Sequence, residues 1–254
     1  MTRLFLPTEK LASEQITITG DEARYLSLVL RMKPGEQIII FDGTGYRYIC
    51  SVVYCHKKEV VIEKIKKEPY SAESPVSITL AQGIPKGDKM DFIVQKSTEM
   101  GVKKIIPLIT ERSQVKHTFR SERWRKIALS ASQQSGREKI PDIEEPIGFK
   151  DFFNPPIPLL SKGDEGGFLD KNHCGIIFSE EQKEQNLKKI LNSFKDTKNI
   201  ILLIGPEGGF SDTETKMANE KGFMTASLGP RILRTETAAL SAISIIQYEL
   251  GNMG

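Results

Sequence analysis

The chain has 254 residues, of which 39% are hydrophobic and 27% charged, proportions that fit a globular protein of one or two domains and exclude a disordered or fibrous one. Its 36 basic and 33 acidic residues leave a net charge of +3, which excludes a blanket of positive charge and leaves only local basic faces for a polyanionic partner. The longest apolar runs, Ile38–Phe41, Ile105–Ile109 and Ile200–Ile204, fall far short of the roughly 20 residues that span a bilayer, and Met1–Pro7 lacks the apolar core of a secretory signal, so a cytoplasmic location is expected.

Residues 1–70 read as short extended runs at Gln15–Thr19, Gln37–Phe41, Arg47–Tyr54 and Glu59–Ile65, separated by turn sequences such as Lys33-Pro34-Gly35-Glu36 and Asp42-Gly43-Thr44-Gly45. Strands at this spacing predict a small barrel or sandwich. One helix is predicted at Asp21–Arg31, with Leu26, Val29 and Leu30 on a single face. Of the three cysteines, Cys50 and Cys55 lie near His56, but on one extended strand they would point to opposite faces, and their spacing is unlike a zinc site. The polar stretch Lys66–Pro75 carries two prolines and marks a domain boundary near residue 72.

From residue 73 to 254 strands and helices alternate: strand Val76–Ala81, helix Lys89–Met100 ending at Gly101, strand Lys104–Ile109, and a helix from Ser121 to about Gln134 with Trp124, Ile127, Ala128 and Ala131 on one face. A loop-rich stretch over residues 154–172 follows, then strand Gly175–Phe178, helix Glu180–Phe194 and strand Asn199–Ile204. That rhythm predicts an α/β domain built on a mostly parallel sheet.

The segment Ile200–Glu214 carries the strongest chemical signal. A continuous apolar run suits a strand buried on both faces, and the loop Gly205-Pro206-Glu207-Gly208-Gly209 sits at its carboxyl end, where open α/β sheets bind ligands. Ser211 with Glu214 makes a capping box, so a helix starts directly after the glycines. The pattern repeats: strand Phe223–Leu228 runs into Gly229-Pro230, then into a helix that Thr235 caps and whose stripe is Leu240, Ile243, Ile246 and Leu250. Two neighbouring loops thus wall one pocket. Neither a Walker loop nor the dinucleotide fingerprint is present, and Glu207, Arg231, Arg234 and Glu236 beside apolar Leu228, Ile232 and Leu233 suit an adenosine-containing ligand better than a naked triphosphate.

The sequence Leu203-Ile204-Gly205-Pro206-Glu207-Gly208-Gly209-Phe210-Ser211, with Leu228-Gly229-Pro230-Arg231-Ile232-Leu233-Arg234-Thr235-Glu236-Thr237-Ala238, resembles the signature of the ribosomal RNA small subunit methyltransferase E family of the SPOUT superfamily. Val29–Glu36 with Phe41-Asp42-Gly43, and Gln95–Val102 with Pro107–Ser113, resemble the family's N-terminal and middle motifs. The resemblance implies a PUA-like β-barrel, an RNA-binding domain over 1–72, followed over 73–254 by an α/β domain with a C-terminal trefoil knot. It also implies a homodimer that uses S-adenosyl-L-methionine to methylate N3 of a uridine in 16S ribosomal RNA, in an assembled small subunit. Cofactor contacts are then expected from Leu203, Gly205, Pro206, Glu207, Gly208, Gly209, Leu228, Gly229, Ile232, Leu233, Thr235 and Ala238. Three positions depart from the family pattern: Tyr25 replaces a usual His, Leu28 a frequent Arg, and Gln133 a common Glu.

Uridine N3 is protonated at neutral pH, so this reaction calls for a base and for a cation near the flanking carbonyl oxygens. Arg234 is the expected cation, with Glu236 or Glu207 as base or as the group that orients it, and Arg231 in reserve. RNA contacts are expected from Arg31, Arg112, Arg123, Arg137 and Arg231. Between Arg112 and Lys139 basic residues exceed acidic ones by six, with Trp124 and Phe119 available to stack on bases. Because N3 lies on the pairing edge, the target base must be unpaired or flipped.

Overall fold

A computed structural model describes residues 2–114, 120–153, 173–179, 187–195 and 197–254. Contacts divide the chain into two compact units, one running to Glu73 and including Ser132–Ile140, the other comprising Ser74–Ala131 and Pro141–Gly254. The return of Ser132–Ile140 to the first unit has no counterpart in the boundary read from composition near residue 72.

In the first unit β1 (Thr2–Phe5), β2 (Gln15–Thr19), β3 (Gln37–Phe41), β4 (Tyr46–His56) and β5 (Glu59–Pro69) form one curled sheet in the order β1-β3-β4-β5-β2. Only β1 and β3 run parallel. Alternation along β2 and β3 turns Ile16, Ile18, Ile38 and Ile40 into a core shared with Leu4, Leu26, Val60 and Ile62. Strand β4 carries register shifts at Ile49/Cys50 and Val52/Tyr54. The second lies between Cys50 and Cys55 and shifts the side-chain alternation, so both cysteines pack on the core instead of facing opposite ways. Burial pushes the Cys50 thiol up to about 11.

Helix α1 spans only Gly20–Arg24 and passes into a π-helical turn over Tyr25–Val29, closed by Leu30 N–H donating to Tyr25 O. The wider turn breaks the 3.6-residue period on which the expected face depends. Leu26 is fully buried, whereas Val29 is 66% exposed and Leu30 is also exposed. Arg31 follows at φ 52°, the left-handed region.

In the second unit β6 (Ser77–Gly83), β7 (Lys104–Ile109), β8 (Asp142–Ile143), β10 (His173–Phe178), β11 (Asn199–Ile204) and β12 (Met224–Ala226) form a parallel sheet in the order β12-β10-β11-β6-β7-β8, with β9 (Ile147–Gly148) also paired to β7. The expected parallel α/β sheet is therefore present. Helix α2 (Lys89–Glu99) packs on α7 (Thr235–Glu249), which also touches β6 and β11. On α7 the buried stripe is Ala239, Ala242, Ile243 and Ile246, while Leu240 and Leu250 are only half-buried. Gln247 is buried because its amide accepts from Ser74 Oγ at 2.7 Å and donates to Met100 O at 2.8 Å.

Helix α3 (Ser121–Ser135) buries Trp124, Ala128 and Ala131, and Ser121, its first residue, donates to Glu145. The short α4 (Phe149–Phe152) and α6 (Asp212–Glu220) share a core with the sheet through Phe149, Phe152 and Ala218. Of the expected helix Glu180–Phe194, α5 covers Leu187–Ser193, and residues 180–186 lie outside the described residues, as does the loop 154–172. Among the described residues no helix is long and apolar enough to cross a membrane, and no group of three His, Cys, Asp or Glu side chains is placed to hold a metal ion.

Candidate active site

An open cleft of about 900 Å³ lies at the carboxyl ends of β10, β11 and β12, which is where a parallel sheet exposes its ligand-binding loops. The first wall is the loop Gly205–Gly209 that leaves β11. A Cβ at Gly205 would stand 2.9 Å from Gly209 Cα, so only glycine lets this loop fold back on itself, and Gly209 N–H closes it by donating to Pro206 O at 2.9 Å. Phe210 then anchors it, its ring centroid 5.3 Å from that of Phe149 in the core. The expected capping box is formed: Glu214 N–H donates to Ser211 Oγ at 3.3 Å, and Ser211 N–H to Glu214 Oε2 at 2.9 Å.

The second wall comes from Leu228, Gly229, Ile232 and Leu233 before α7, and from Thr235 and Ala238 in its first turn. Thr235 is not the cap of α7. Arg234 occupies that position, and the Thr235 hydroxyl donates to Gly205 O at 2.6 Å, tying the two loops together. Leu203 is the one expected cofactor contact off the cleft. Its side chain shares the core with Ile201 and Ala81, and the next residue, Ile204, reaches the wall instead.

Arg231 and Arg234 both line the cleft, both are exposed, and neither has an ion-pair partner among the described residues. Glu207 also lines it, and its carboxylate is committed: Oε1 accepts from Lys89 Nζ at 2.6 Å, and both oxygens accept from Lys86 N–H at 3.2 and 3.3 Å. Burial alone would raise the Glu207 carboxyl, but the Lys89 ammonium and the backbone amides of Glu207 and Lys86 hold it below the usual carboxylate range. Glu236 stands off the cleft wall, with Oε2 buried and lacking a hydrogen-bond partner among the described residues.

The arginines expected to hold RNA separate. Arg112 lies on the cleft wall and Arg31 is exposed in the first unit. Arg123 pairs with Asp91, Arg120 with Asp88, and Arg125 with Glu122 and Glu145. Arg137 is 3% exposed, its guanidinium held by both carboxylate oxygens of Glu73 at 3.0 and 2.8 Å. Counting charge within Arg112–Lys139 included Glu122 but missed Asp88, Asp91, Glu145 and Glu73, which come from other parts of the chain. Trp124 is likewise buried, its Nε1–H donating to Asp91 at 3.0 Å, so it offers no face to a base. Lys116 and Phe119 lie outside the described residues.

Several contributors escaped the sequence reading. Gly83, at the end of β6, has Pro206 Cδ 2.5 Å from where a Cβ would stand, so the cleft loop rests directly on its backbone. Lys86 and Lys89 tether Glu207, and Glu214 Oε1 accepts from Glu111 N–H at 2.8 Å. The signal for Gly83 was the polar step Gln82-Gly83 at the end of an apolar strand.

Residues 72–247 match the RNA methyltransferase domain family, and residues 18–65 the RNA methyltransferase PUA domain. The chain is 33% identical over 260 residues to ribosomal RNA small subunit methyltransferase E of Bacillus subtilis (strain 168), covering 98% of this chain and 97% of that one. Identity to the protein of the same name from Buchnera aphidicola subsp. Acyrthosiphon pisum is 34%, over 96% and 92% of the two chains. A crystal structure of the Neisseria gonorrhoeae ribosomal RNA small subunit methyltransferase E bound to S-adenosyl methionine superimposes with a TM-score of 0.87 at 34% identity, covering 100% of both chains. A Legionella pneumophila protein solved with bound SAM gives 0.86 at 33%, again over 100% of both. Two domain matches in order, full-length identity above three in ten and a shared whole-chain fold place this chain in the ribosomal RNA small subunit methyltransferase E family.

Proposed function

We propose that the protein methylates N3 of a uridine in 16S ribosomal RNA with S-adenosyl-L-methionine as donor. The observation that carries this reading is the cleft itself, two glycine-bearing loops tied by Thr235 to Gly205, with the cations Arg231 and Arg234, unpaired among the described residues, on its wall. The residues present fit the donor. Gly209 and Gly229 sit at φ 67° and 107° with nothing within 4 Å of where a Cβ would stand, leaving backbone open to a ligand. Leu228, Ile232, Leu233 and Ala238 offer an apolar wall for an adenine ring. Bound there, the donor supplies an activated methyl group, so the protein's task is positioning and activation of the acceptor.

Activation falls to the arginines. A guanidinium beside the uracil carbonyl oxygens stabilises the anion left when the N3 proton passes to solvent water in the open cleft, and so lowers the N3 pKa without a strong protein base. Arg234 is assigned this role, with Arg231 beside it. Glu207 is a weak proton acceptor because its carboxyl is held low, which leaves it to organise the loop, and Glu236 is assigned to orient Arg234, two positions before it in the chain. Arg112 serves the donor side of the cleft, and exposed Arg31 the RNA.

The N-terminal domain, 1–72, is proposed to bind RNA, and 73–254 to carry the chemistry on a knotted path. An assembled small subunit in the cytoplasm is the proposed substrate setting. A homodimer is proposed too, supported by the exposed apolar side chains Ile245 and Tyr248 on α7. Calorimetry tests the cleft: S-adenosylhomocysteine should bind and ATP should not, and the reverse result rejects the donor assignment.

A further inference from the structure

We infer that Gln82, which does not line the cleft, is the positioning residue that sets the donor-binding geometry by locking Thr235 onto Gly205; this rests on the donor reading above. Gln82 is the penultimate residue of β6 and is fully buried. Its Nε2 donates to Thr235 Oγ1 at 2.9 Å and to Gly83 O at 2.9 Å, with Ile204 O and Gly205 O at 3.4 Å. Thr235 Oγ1 in turn donates to Gly205 O at 2.6 Å. The hydroxyl therefore accepts from the amide and gives its own proton to the loop, a fixed direction that ties β6, the loop after β11 and the first turn of α7 at one point. Gly205 and Thr235 line the cleft while Gln82 does not, so it acts through them.

A buried glutamine is a poor choice for filling space. Its Oε1 is buried without a partner among the described residues, a penalty that an apolar side chain of the same size would not carry. What an apolar side chain cannot do is donate. The pin also explains why Gly83 follows: its carbonyl takes the second amide proton, and its missing Cβ lets Pro206 approach.

The test compares Gln82→Leu, Thr235→Val and the double variant, reading S-adenosylhomocysteine affinity by calorimetry together with KM for donor and for small ribosomal subunits. Gln82→Leu should weaken S-adenosylhomocysteine binding and raise donor KM roughly tenfold, the size of one buried donor lost. KM for the RNA substrate should stay unchanged. The double variant should be no worse than Thr235→Val alone, because both break one relay, and Thr235→Ser, which keeps the hydroxyl, should retain wild-type affinity. A folded Gln82→Leu protein with wild-type donor affinity, or additive losses in the double variant, overturns the inference. If Gln82→Leu does not fold, Thr235→Val against Thr235→Ser carries the test, and equal affinity in the two overturns it. Wild-type protein that fails to bind S-adenosylhomocysteine instead removes the donor reading itself.

Discussion

Arg112 reaches from the turn after β7 to the glycine loop, where its Nη1 donates to Gly208 O across 2.9 Å. The turn that presents it is fixed twice, by Thr110 N–H donating to Ser113 Oγ at 3.1 Å and by Glu111 N–H donating to Glu214. A Cβ at Gly208 would stand 3.1 Å from Arg112 Cβ, a tight contact to which one of the two would have to yield by a few tenths of an ångström. Arg112→Met keeps the aliphatic stem and loses the donor. Donor affinity should fall about three- to tenfold, with KM for RNA nearly unchanged. Titration with S-adenosylhomocysteine checks this, and an effect confined to RNA would return Arg112 to the substrate side.

Arg234 is exposed, unpaired among the described residues and placed at the start of α7. Arg234→Ala should lower kcat/KM roughly 100- to 1,000-fold, the usual cost of removing one preorganised cation from a charge-developing site. Donor affinity should hold within about twofold, since the Arg234 side chain is exposed and takes no part in the hydrogen bond from Thr235 to Gly205. Single-turnover methylation assays alongside calorimetry separate the two effects.

Gly83→Ala places a methyl group 2.5 Å from Pro206 Cδ and 2.7 Å from Pro206 N. Because both clashing groups belong to a ring and a backbone that cannot swing aside, the loop must shift. We expect a loss of about 1–3 kcal/mol in urea denaturation and weaker donor binding. Unchanged stability would mean that the loop does not rest on β6.

The Glu207 carboxyl is held low by Lys89 and the backbone amides against the opposing effect of burial. A depressed folded value means that its tether is present above the ordinary carboxylate pKa of ~4.5 and is lost only as pH falls through the lowered value. Donor affinity should therefore be flat from neutral pH into the mildly acidic range and decline only as pH falls below the ordinary carboxylate range. In Glu207→Gln the decline should disappear, a comparison that fluorescence or calorimetric titration across pH can make.

Arg137 is buried against Glu73 and cannot present its guanidinium to solvent in this state. Arg137→Ala strands the Glu73 carboxylate, and a loss of about 3–5 kcal/mol is expected. At temperatures where the variant stays folded, RNA affinity should be unaffected. Filter binding with a ribosomal RNA fragment, set beside thermal melts, decides between this structural role and a substrate contact.

How much of this was legible in the sequence follows from how local each feature is. Strands β2, β3, β7 and β11 were read to the residue, because their apolar patterning and bounding turns are written within a few positions. The capping box of Ser211 and Glu214 was legible for the same reason. The π-helical turn at Tyr25–Val29 was not, since it inserts a residue that no 3.6-period reading can anticipate. Nor were the fates of Arg123, Arg137 and Trp124, which depend on Asp91 and Glu73, acids more than thirty residues away in the chain. Most of the two cleft loops could be named from their glycines and prolines. Their support from Gln82, Gly83 and Lys89 could not, because it requires knowing that β6 lies beside β11.

The most direct measurement incubates the protein with small ribosomal subunits and isotopically labelled S-adenosylmethionine, then maps the label in 16S ribosomal RNA by mass spectrometry of nucleosides and fragments. One labelled methyl group per subunit, on N3 of a single uridine, is the predicted result. Label on a ring carbon or a ribose, or none at all from protein that binds S-adenosylhomocysteine, would contradict it.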